Sequence, residues 1–441
     1  MQLSRYLKVY PSKTRPDHFL LFSTLRTSTV QLPGAALRAA QGGGDLGPEA
    51  DTLRRLGILV DDPAIEREQM RTLLERFDAR SRRFDAIVVL NLDCNLDCGY
   101  CYEECFRGEQ YMSEATAQLL VETLVRDHLS AGKNLLITFY GGEPLLSEDL
   151  IVRISLPLRE AAQLHRVDYS FALVTNGTLL NRESAQRLIP LGLKGAKFTL
   201  DGPQEIHDQQ RPYASGSGSF ETIVDNIASI WDLVPISLGG NFYQDSYRAF
   251  PRLLDQLVDR GITPEKISQV LFTPVTPKAG CAEYSSGCAN SGEPWLIEAL
   301  SYLRQEIMSR GFATSRPTVS ACMVEVADNM VVNCDGSLYK CPAFMGWEGF
   351  QIGTIARGVT DYAESHGIGN WQNDDCLDCP YLPICFGGCR FLNLLQGKAV
   401  SEVDCRRGFL DATLETFILQ NMTYPRPKPA SDSAERIQGA I

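Results

Sequence analysis

Short apolar runs alternate with longer stretches in which apolar residues recur every three or four positions, and this rhythm changes twice along the chain. At the start, Tyr6–Tyr10, His18–Thr24 and Ser28–Leu32 read as short strands separated by turn residues. Two helical pieces follow, Ala35–Gln41 ending at Gly42-Gly43-Gly44 and Pro48–Leu56 ending at Gly57. A glycine just past a helix end is a common stop, because it enters left-handed backbone without a Cβ clash. Ala64–Arg80 has apolar positions at helical spacing and is expected as one connecting helix. Residues 1–62 thus form a small unit, joined by a linker helix over 63–84.

From Phe84 to Pro277 the pattern becomes apolar strands alternating with amphipathic helices. The strands are Ala86–Leu92, Asn134–Tyr140, Tyr169–Thr175, Gly195–Leu200, Pro235–Asn241 and Ile267–Thr273. Between them fall the helices Ser113–His128, Ser147–Leu164, Arg182–Ile189, Phe220–Trp231 and Tyr247–Asp259. Six strand-helix repeats imply an α/β fold with a parallel sheet and right-handed crossovers, either doubly wound or a partial barrel. In both, reactive groups collect at the C-terminal ends of the strands. After a helix from Pro294 to about Gly311, few long periodic elements are expected, and residues 422–441 read as a disordered tail.

Composition narrows the function. The 441 residues are 44% hydrophobic and 22% charged, which suits several folded domains. A net charge of −12 argues against a nucleic-acid partner. The first residues, Met1 to Lys8, carry charge where a signal peptide is apolar, and no run of 18 apolar residues occurs. No membrane partner is expected, and a cytoplasmic location is.

The chemistry lies in the 14 cysteines. They are clustered in a long chain with an ample core, which shifts the weight from disulfides to metal or redox chemistry. Thiolates select zinc or iron–sulfur clusters. Cys94, Cys98 and Cys101 follow the first strand of the repeat, and three thiolates can hold three irons of a cubane, leaving the fourth open. With Cys105 they could close a structural zinc site, which is the alternative. The next strand ends in Gly141-Gly142-Glu143-Pro144, a turn whose backbone can approach a ligand closely. The third ends in Thr175-Asn176-Gly177-Thr178 and the fourth in Thr199-Leu200-Asp201-Gly202, followed by His207-Asp208 and Arg211; Asn241 ends the fifth. Polar residues at successive strand ends point into one mouth. Turn formation and helix capping are the competing roles for Asn176 and Asp201, and a loop ion pair with Asp208 is the expectation for His207.

The Cys94-x3-Cys98-x2-Cys101 spacing with Tyr100 before its last member resembles the radical S-adenosylmethionine (SAM) enzymes, and the Gly-Gly-Glu-Pro turn 40 residues on agrees. The resemblance implies a [4Fe-4S] cluster on the three cysteines, with SAM bound by Tyr100, Gly141, Gly142, Glu143, Thr175, Asn176, Thr199, Asp201 and Asn241. Cys322, Gly336, Cys341, Cys376, Cys379, Cys385, Cys389 and Cys405 match the seven-cysteine pattern of the SPASM extension of that family, so the resemblance runs from about Phe84 to Gly408. It implies two auxiliary [4Fe-4S] clusters, one on Cys376, Cys379, Cys385 and Cys405, the other on Cys322, Cys341 and Cys389. For the fourth ligand of the latter the candidates are Cys288, Cys281 and Cys334, in that order; otherwise one iron stays open. Cys105 is expected as a free thiol, and a pair of zinc ribbons is the alternative for the second cysteine field.

The implied architecture is a partial (β/α)6 TIM-type barrel over 85–290, a cysteine-rich SPASM domain over 291–421 and an N-terminal winged-helix-like domain. That last unit resembles the leader-recognition domain of enzymes that modify ribosomal peptides. The implied activity is reductive cleavage of SAM to a 5′-deoxyadenosyl radical, hydrogen abstraction from a precursor peptide with a leader, and an oxidative thioether, C–C or C–O crosslink. The implied electron donor is of the flavodoxin or ferredoxin kind. Two alternatives stand beside it. Sulfatase-maturing oxidases begin close to the three-cysteine loop and carry an acidic residue after the cysteine matching Cys341, where this chain has Pro342. A non-catalytic zinc-bound adaptor is the alternative of another class.

Overall fold

The computed structural model describes residues 1–44, 46–101, 107–277, 284–286 and 293–425, with backbone alone for 276, 277 and 284–286. Strand β1 (Gln2–Leu3) precedes the three-stranded antiparallel sheet β2 (Leu7–Pro11), β3 (His18–Ser23) and β4 (Ser28–Pro33), in that spatial order. Helices α1 (Gly34–Gln41) and α2 (Ala50–Arg55) lead to β5 (Leu59–Val60), which pairs with β1. The chain then runs into α3 (Pro63–Arg71) and α4 (Leu73–Arg80). The expected single linker helix is therefore two. It breaks at Thr72, whose φ of −98° and ψ of 8° leave the helical range.

The next unit positions the site. Strands β6 (Arg83–Asn91), β7 (Asn134–Gly141), β8 (Tyr169–Thr175), β9 (Leu193–Thr199), β10 (Ile236–Phe242) and β11 (Gln269–Pro277) lie side by side in sequence order. All five contacts between them are parallel. That unbroken order is a barrel-type winding, not a doubly wound sheet, which would reverse at a switch point. The crossovers are α5 (Glu114–Leu124), α6 (Glu148–His165), α7 (Arg182–Leu188), the pair α8 (Gln204–Gln210) and α9 (Phe220–Ile230), and α10 (Phe250–Asp259). Helix α8 was not expected, because it is two turns long and mostly polar. Phe139, Phe171, Phe198 and Ile236 are fully buried in one continuous core with Ile151, Leu188, Ile227 and Leu254 of the helices.

Beyond β11, β12 (Tyr284–Ser286) adds antiparallel, and α11 (Pro294–Ser309) packs outside. On the opposite edge the C-terminal part continues the same sheet. Strand β13 (Asn329–Val332) pairs parallel with β6, then β14 (Ser337–Tyr339), β15 (Gly353–Thr354) and β16 (Gly358–Val359) follow antiparallel. Gly336, with φ of +83°, makes the β13–β14 turn. The short helices α12 (Asp374–Leu377) and α13 (Arg390–Leu395) precede α14 (Arg407–Thr423), 17 residues long. Helix α14 corrects the expectation of few periodic elements here. It is buried on more than one side, so polar Thr413 and Gln420 share its covered surface with Leu410, Leu414 and Ile418 and blur the apolar stripe.

The N-terminal unit is docked on this cysteine-rich region. Leu20 and Phe22 of β3 share a core with Tyr381, Leu410, Leu414 and Ile418, while Tyr6 and Met70 share another with Trp371, Leu377, Leu382 and Phe386. Tyr6 donates its hydroxyl to Leu377 O at 3.0 Å, and Thr24 Oγ1 to Pro380 O at 2.6 Å. Among the described residues no helix is long and apolar enough to cross a membrane. Leu20→Ala removes buried side-chain volume from this interface and is expected to cost about 2–5 kcal/mol. Limited proteolysis should then cleave the N-terminal unit at lower denaturant than in the parent, with the barrel still protected.

Candidate active site

Each cysteine of the first triad sits where the path from β6 to α5 crosses the C-terminal ends of the strands. The loop is held on two sides by backbone. On one side the Gly141–Glu143 turn continues the β6–β7 pairing past the strand ends: Gly142 N donates to Asn91 O at 3.1 Å and Glu143 N to Asp93 O at 2.8 Å. A Cβ at Gly142 would stand 2.1 Å from Asp93 O, so glycine is required by contact alone. On the other side Asp97 N donates to Pro212 O at 2.8 Å and Ala214 N to Asn95 O at 3.1 Å, which ties the loop to the segment after Arg211.

These ties enclose a cavity of about 130 Å³ at the mouth of the barrel. Cys94, Cys98, Tyr100 and Cys101 form one wall; Gly141, Gly142, Thr175, Asn176, Thr199 and Asn241 face them. Ten of the residues expected around a cluster and SAM therefore meet in one place. Glu143 and Asp201 do not line it. Both are fully buried behind the wall, because their carboxylates are consumed by neighbours. Glu143 accepts from Leu145 N at 3.0 Å, from Asn176 N at 2.8 Å and from Thr175 Oγ1 at 2.9 Å. Burial pushes its carboxyl up to about 7 against the pull of those donors. It accordingly shapes the strand ends through its hydrogen bonds.

Asp201 does the same for the opposite wall. It accepts from Tyr100 Oη and from Asn241 N at 2.7 Å, with Arg211 Nη1 3.7 Å away. Arg211 Nη1 and Asn241 Nδ2 both donate to Tyr100 Oη, at 2.7 and 3.0 Å. His207 departs from its expected ion pair. Its Nδ1 accepts from Asp201 N at 3.1 Å, its Nε2 lies 3.0 Å from Ser219 Oγ, and burial lowers its pKa, so it is a neutral interior ring. Asp208 instead accepts from Phe220 N at 2.9 Å, at the start of α9. Asn176 holds a turn and faces the cavity at once: its Oδ1 accepts from Thr178 N at 2.9 Å, and its Nδ2 donates to Asn95 Oδ1 at 2.8 Å.

Two arginines complete the cavity. Arg107 donates to Cys94 O at 3.1 Å and pairs with Asp97 at 3.1 Å. No motif marked it in the sequence. Arg211 was visible in the sequence but without a definite role. Burial opposes its charge, yet Cys98, Tyr100 and Asp201 hold it protonated above its ordinary range. Its Nε is buried without a hydrogen-bond partner among the described residues.

This donor set fits an anionic iron–sulfur cluster. Burial pushes the Cys94 thiol up to about 11 and raises Cys98 as well, so bare thiolates are unfavourable here. Cationic metal reverses that preference, and the Arg211 guanidinium faces the same space. Among the described residues no three His, Cys, Asp or Glu side chains converge on a single metal ion. The three thiols all line the cavity wall.

The second cysteine field divides in two. Cys322, Cys341 and Cys389 pack against the barrel core. Cys376 packs with Trp371, and Cys379 and Cys385 with Tyr381, in the small cores shared with the N-terminal unit. Burial raises the Cys376 thiol, with Cys385, Cys379 and Cys405 adding to the shift, so these four share one electrostatic neighbourhood. Cys322, Cys341 and Cys389 thus stand apart from Cys376, Cys379 and Cys385. Cys334 is 4% exposed in the barrel core. Cys288, Cys281 and Cys105 lie outside the described residues.

Residues 88–240 match the model of the Radical SAM superfamily. The cysteine-type anaerobic sulfatase-maturating enzyme of Clostridium novyi is 23% identical over 334 residues, 68% of this chain and 85% of that protein. Among solved structures, native anSMEcpe with bound AdoMet and the Cp18Cys peptide superposes with a TM-score of 0.58 at 17% identity, over 77% of this chain and 97% of that one. Streptococcus suis SuiB bound to its precursor peptide SuiA superposes with a TM-score of 0.55 at 16% identity, over 92% of this chain and 98% of that one. The Radical SAM match thus spans the strands from β6 into β10 whose ends build the cavity.

Proposed function

We propose that this chain is a maturase of a ribosomally made precursor peptide, forming an oxidative crosslink within it. The observation that carries the reading is the convergence of three thiols, the Gly141-Gly142 turn and the polar ends of β8, β9 and β10 on one cavity. In this reading Cys94, Cys98 and Cys101 hold the SAM cluster. Cys376, Cys379, Cys385 and Cys405 hold one auxiliary cluster, and Cys322, Cys341 and Cys389 the other. When bound, the reduced cluster with SAM would supply 5′-deoxyadenosyl radical chemistry, and the auxiliary clusters would supply electron acceptors.

The chain's own residues do the rest. The bare backbone of Gly141 and Gly142 would admit the methionine end of SAM; a side chain there would collide with Asn91 at the end of β6 or with Asp93 at the start of the cysteine loop. Thr175, Asn176, Thr199 and Asn241 supply polar contacts around the cofactor, and Tyr100 is fixed against it by Arg211, Asn241 and Asp201. The apolar layers under the mouth keep water from the reacting carbon. An electron donor of the flavodoxin or ferredoxin class would reduce the clusters.

The peptide reading draws on the N-terminal unit. SuiB, whose structure contains a precursor peptide, is matched over 92% of this chain, against 77% for anSMEcpe. The three-stranded sheet ends in β2 on one side and β4 on the other, and a leader could add there as a further strand. The sulfatase-maturing reading is favoured instead by some of the curated relatives, among them the serine-type anaerobic sulfatase-maturating enzyme of Bacteroides thetaiotaomicron, 22% identical over 354 residues. Pro342 after Cys341 weighs against it.

Replacing Cys94, Cys98 and Cys101 together by Ala should remove about a third of the iron of the reconstituted chain, as for one of three equal clusters. Deoxyadenosine formation under dithionite should then vanish; its persistence overturns the assignment of the triad. Gly142→Ala should leave iron content intact and slow SAM cleavage by about 10- to 100-fold, the scale of an ångström-level displacement at a reacting centre. Mass spectrometry of a short peptide encoded beside this chain and co-expressed with it should show loss of two hydrogens. An unmodified peptide, together with formylglycine in a co-expressed sulfatase, would instead establish the sulfatase reading.

A further inference from the structure

Of the ion pairs among the described residues, Arg390–Glu325 is the most deeply buried: the arginine side chain is 0% exposed and the glutamate 3%. Such a pair is expensive to desolvate, and apolar residues of similar volume often stabilise a fold as well or better. Its position supplies a reason for keeping it. Glu325 N donates to Cys322 O at 2.9 Å, so the carboxylate belongs to the turn that begins at Cys322. Arg390 follows Cys389 directly. Its Nη1 donates to Phe386 O at 3.2 Å and to Gly388 O at 3.1 Å, and its Nη2 to Gly367 O at 3.3 Å besides the carboxylate. The guanidinium therefore binds carbonyls of the loop that runs from Cys385 to Cys389.

That loop needs a tie. Phe386, Gly387 and Gly388 all have positive φ, 44°, 77° and 75°, an arrangement unfavourable for phenylalanine. Both glycines are pressed against neighbours: a Cβ at Gly387 would stand 2.3 Å from Asn370 Oδ1, and one at Gly388 2.2 Å from Asp404 O. Gly369 N closes the other side of the pair, donating to the Glu325 carboxylate at 3.1 Å. One donor is left over: Arg390 Nε is buried without a hydrogen-bond partner among the described residues.

We propose that Arg390, held by Glu325, is the positioning residue that links the two auxiliary clusters and favours reduction of the one on Cys322, Cys341 and Cys389. The inference rests on the auxiliary-cluster reading above. Arg390 touches the turn of Cys322 through Glu325 and the loop joining Cys389 to Cys385 directly, so one side chain fixes ligands of both sets. A buried cation bonded to carbonyls of the loop between Cys385 and Cys389 stabilises the more negative, reduced form of a cluster held there, since nearby charge sets such potentials. Glu325 offsets part of that charge.

The test is redox titration of the full-length chain, reconstituted with iron and sulfide and followed by electron paramagnetic resonance. Each step is a one-electron reduction by dithionite. Arg390→Gln should keep its iron and lower the midpoint of one auxiliary cluster by about 59 mV or more, a tenfold fall in the reduced-to-oxidised ratio for a one-electron couple. Arg390→Lys should restore part of it. Glu325→Gln leaves the arginine charge uncompensated and should move the same midpoint upward. Opposite shifts are the signature, because a merely structural loss would move both variants alike. Midpoints equal to the parent's in iron-replete variants, or shifts of one sign in both, overturn the proposal. Should Arg390→Gln not fold, Arg390→Lys and Glu325→Gln carry the comparison of signs. A parent chain that takes up iron for only one cluster refutes the auxiliary-cluster reading itself, a result distinct from the others.

Discussion

The site depends on one backbone contact, the continuation of the β6–β7 pairing into the Gly141–Glu143 turn. Gly142 N and Glu143 N donate to Asn91 O and Asp93 O, so the loop carrying the cysteines is bonded through its first residues to the turn facing it. Neither glycine can be replaced without moving one of these segments, because ideal Cβ atoms at Gly141 and Gly142 would stand 2.2 and 2.1 Å from the carbonyl oxygens of Asn91 and Asp93. Other features then follow. With the turn so placed, the Glu143 side chain is driven inward, where Thr175 and Asn176 of the β8 end join Leu145 N in satisfying it. The end of β8 is thereby fixed relative to the ends of β6 and β7. Three strand ends are registered by one carboxylate and two backbone amides.

Electrostatics set the second constraint. A cavity lined by thiols in a low-dielectric mouth holds thiolates only if positive charge is near. The fold brings Arg107 and Arg211 to the wall and places Glu143 and Asp201 behind it, each saturated with donors. The result is a cavity whose exposed charged groups are cationic although the chain as a whole carries −12. Net charge therefore describes the outer surface and says little about the site.

How much of this could be read from the sequence depended on the range of the interactions. The six barrel strands were legible because each carries a short cluster of buried apolar residues between helical stretches, even β9 with its exposed Lys194, and Tyr169–Thr175 has the bounds expected of it. The residues of the cavity were legible because strand ends in this topology converge, so a position along the chain translates into a place in space. What was not legible is what depends on partners distant in sequence. Helix α14 is covered by α11 and by the N-terminal sheet, and its polar buried residues have partners elsewhere, as Gln420 has in Arg304 and Ser301 O. Thr72 gives no breaker signal, yet the chain turns there so that α3 can set Arg67 against Asp374 and Asp378 of the cysteine-rich region. Asp201 and Glu143 were identified by position, but their distance from the cavity surface is decided by neighbours that the linear order does not rank.

The docking of the N-terminal unit bears on how a peptide-modifying reading would work. This unit does not hang from a linker. Tyr6, Leu20 and Phe22 are buried in cores that also contain residues adjoining Cys376, Cys379 and Cys385. A peptide held at the edge of the small sheet would be held at a fixed distance from the barrel mouth, since sheet, cysteine-rich region and barrel form one chain of packed contacts through β13 and β6. Leader and reacting segment would then be separated by a span set by the protein, and the choice of residue modified would follow from the length of peptide between them. Fixed separation of this kind raises the effective concentration of the reacting segment at the mouth only when the intervening peptide is long enough to reach, and the gain decays slowly as it lengthens further. Site selection by reach needs few side-chain contacts at the mouth itself, and it allows one enzyme to act on a substrate whose local sequence it scarcely reads.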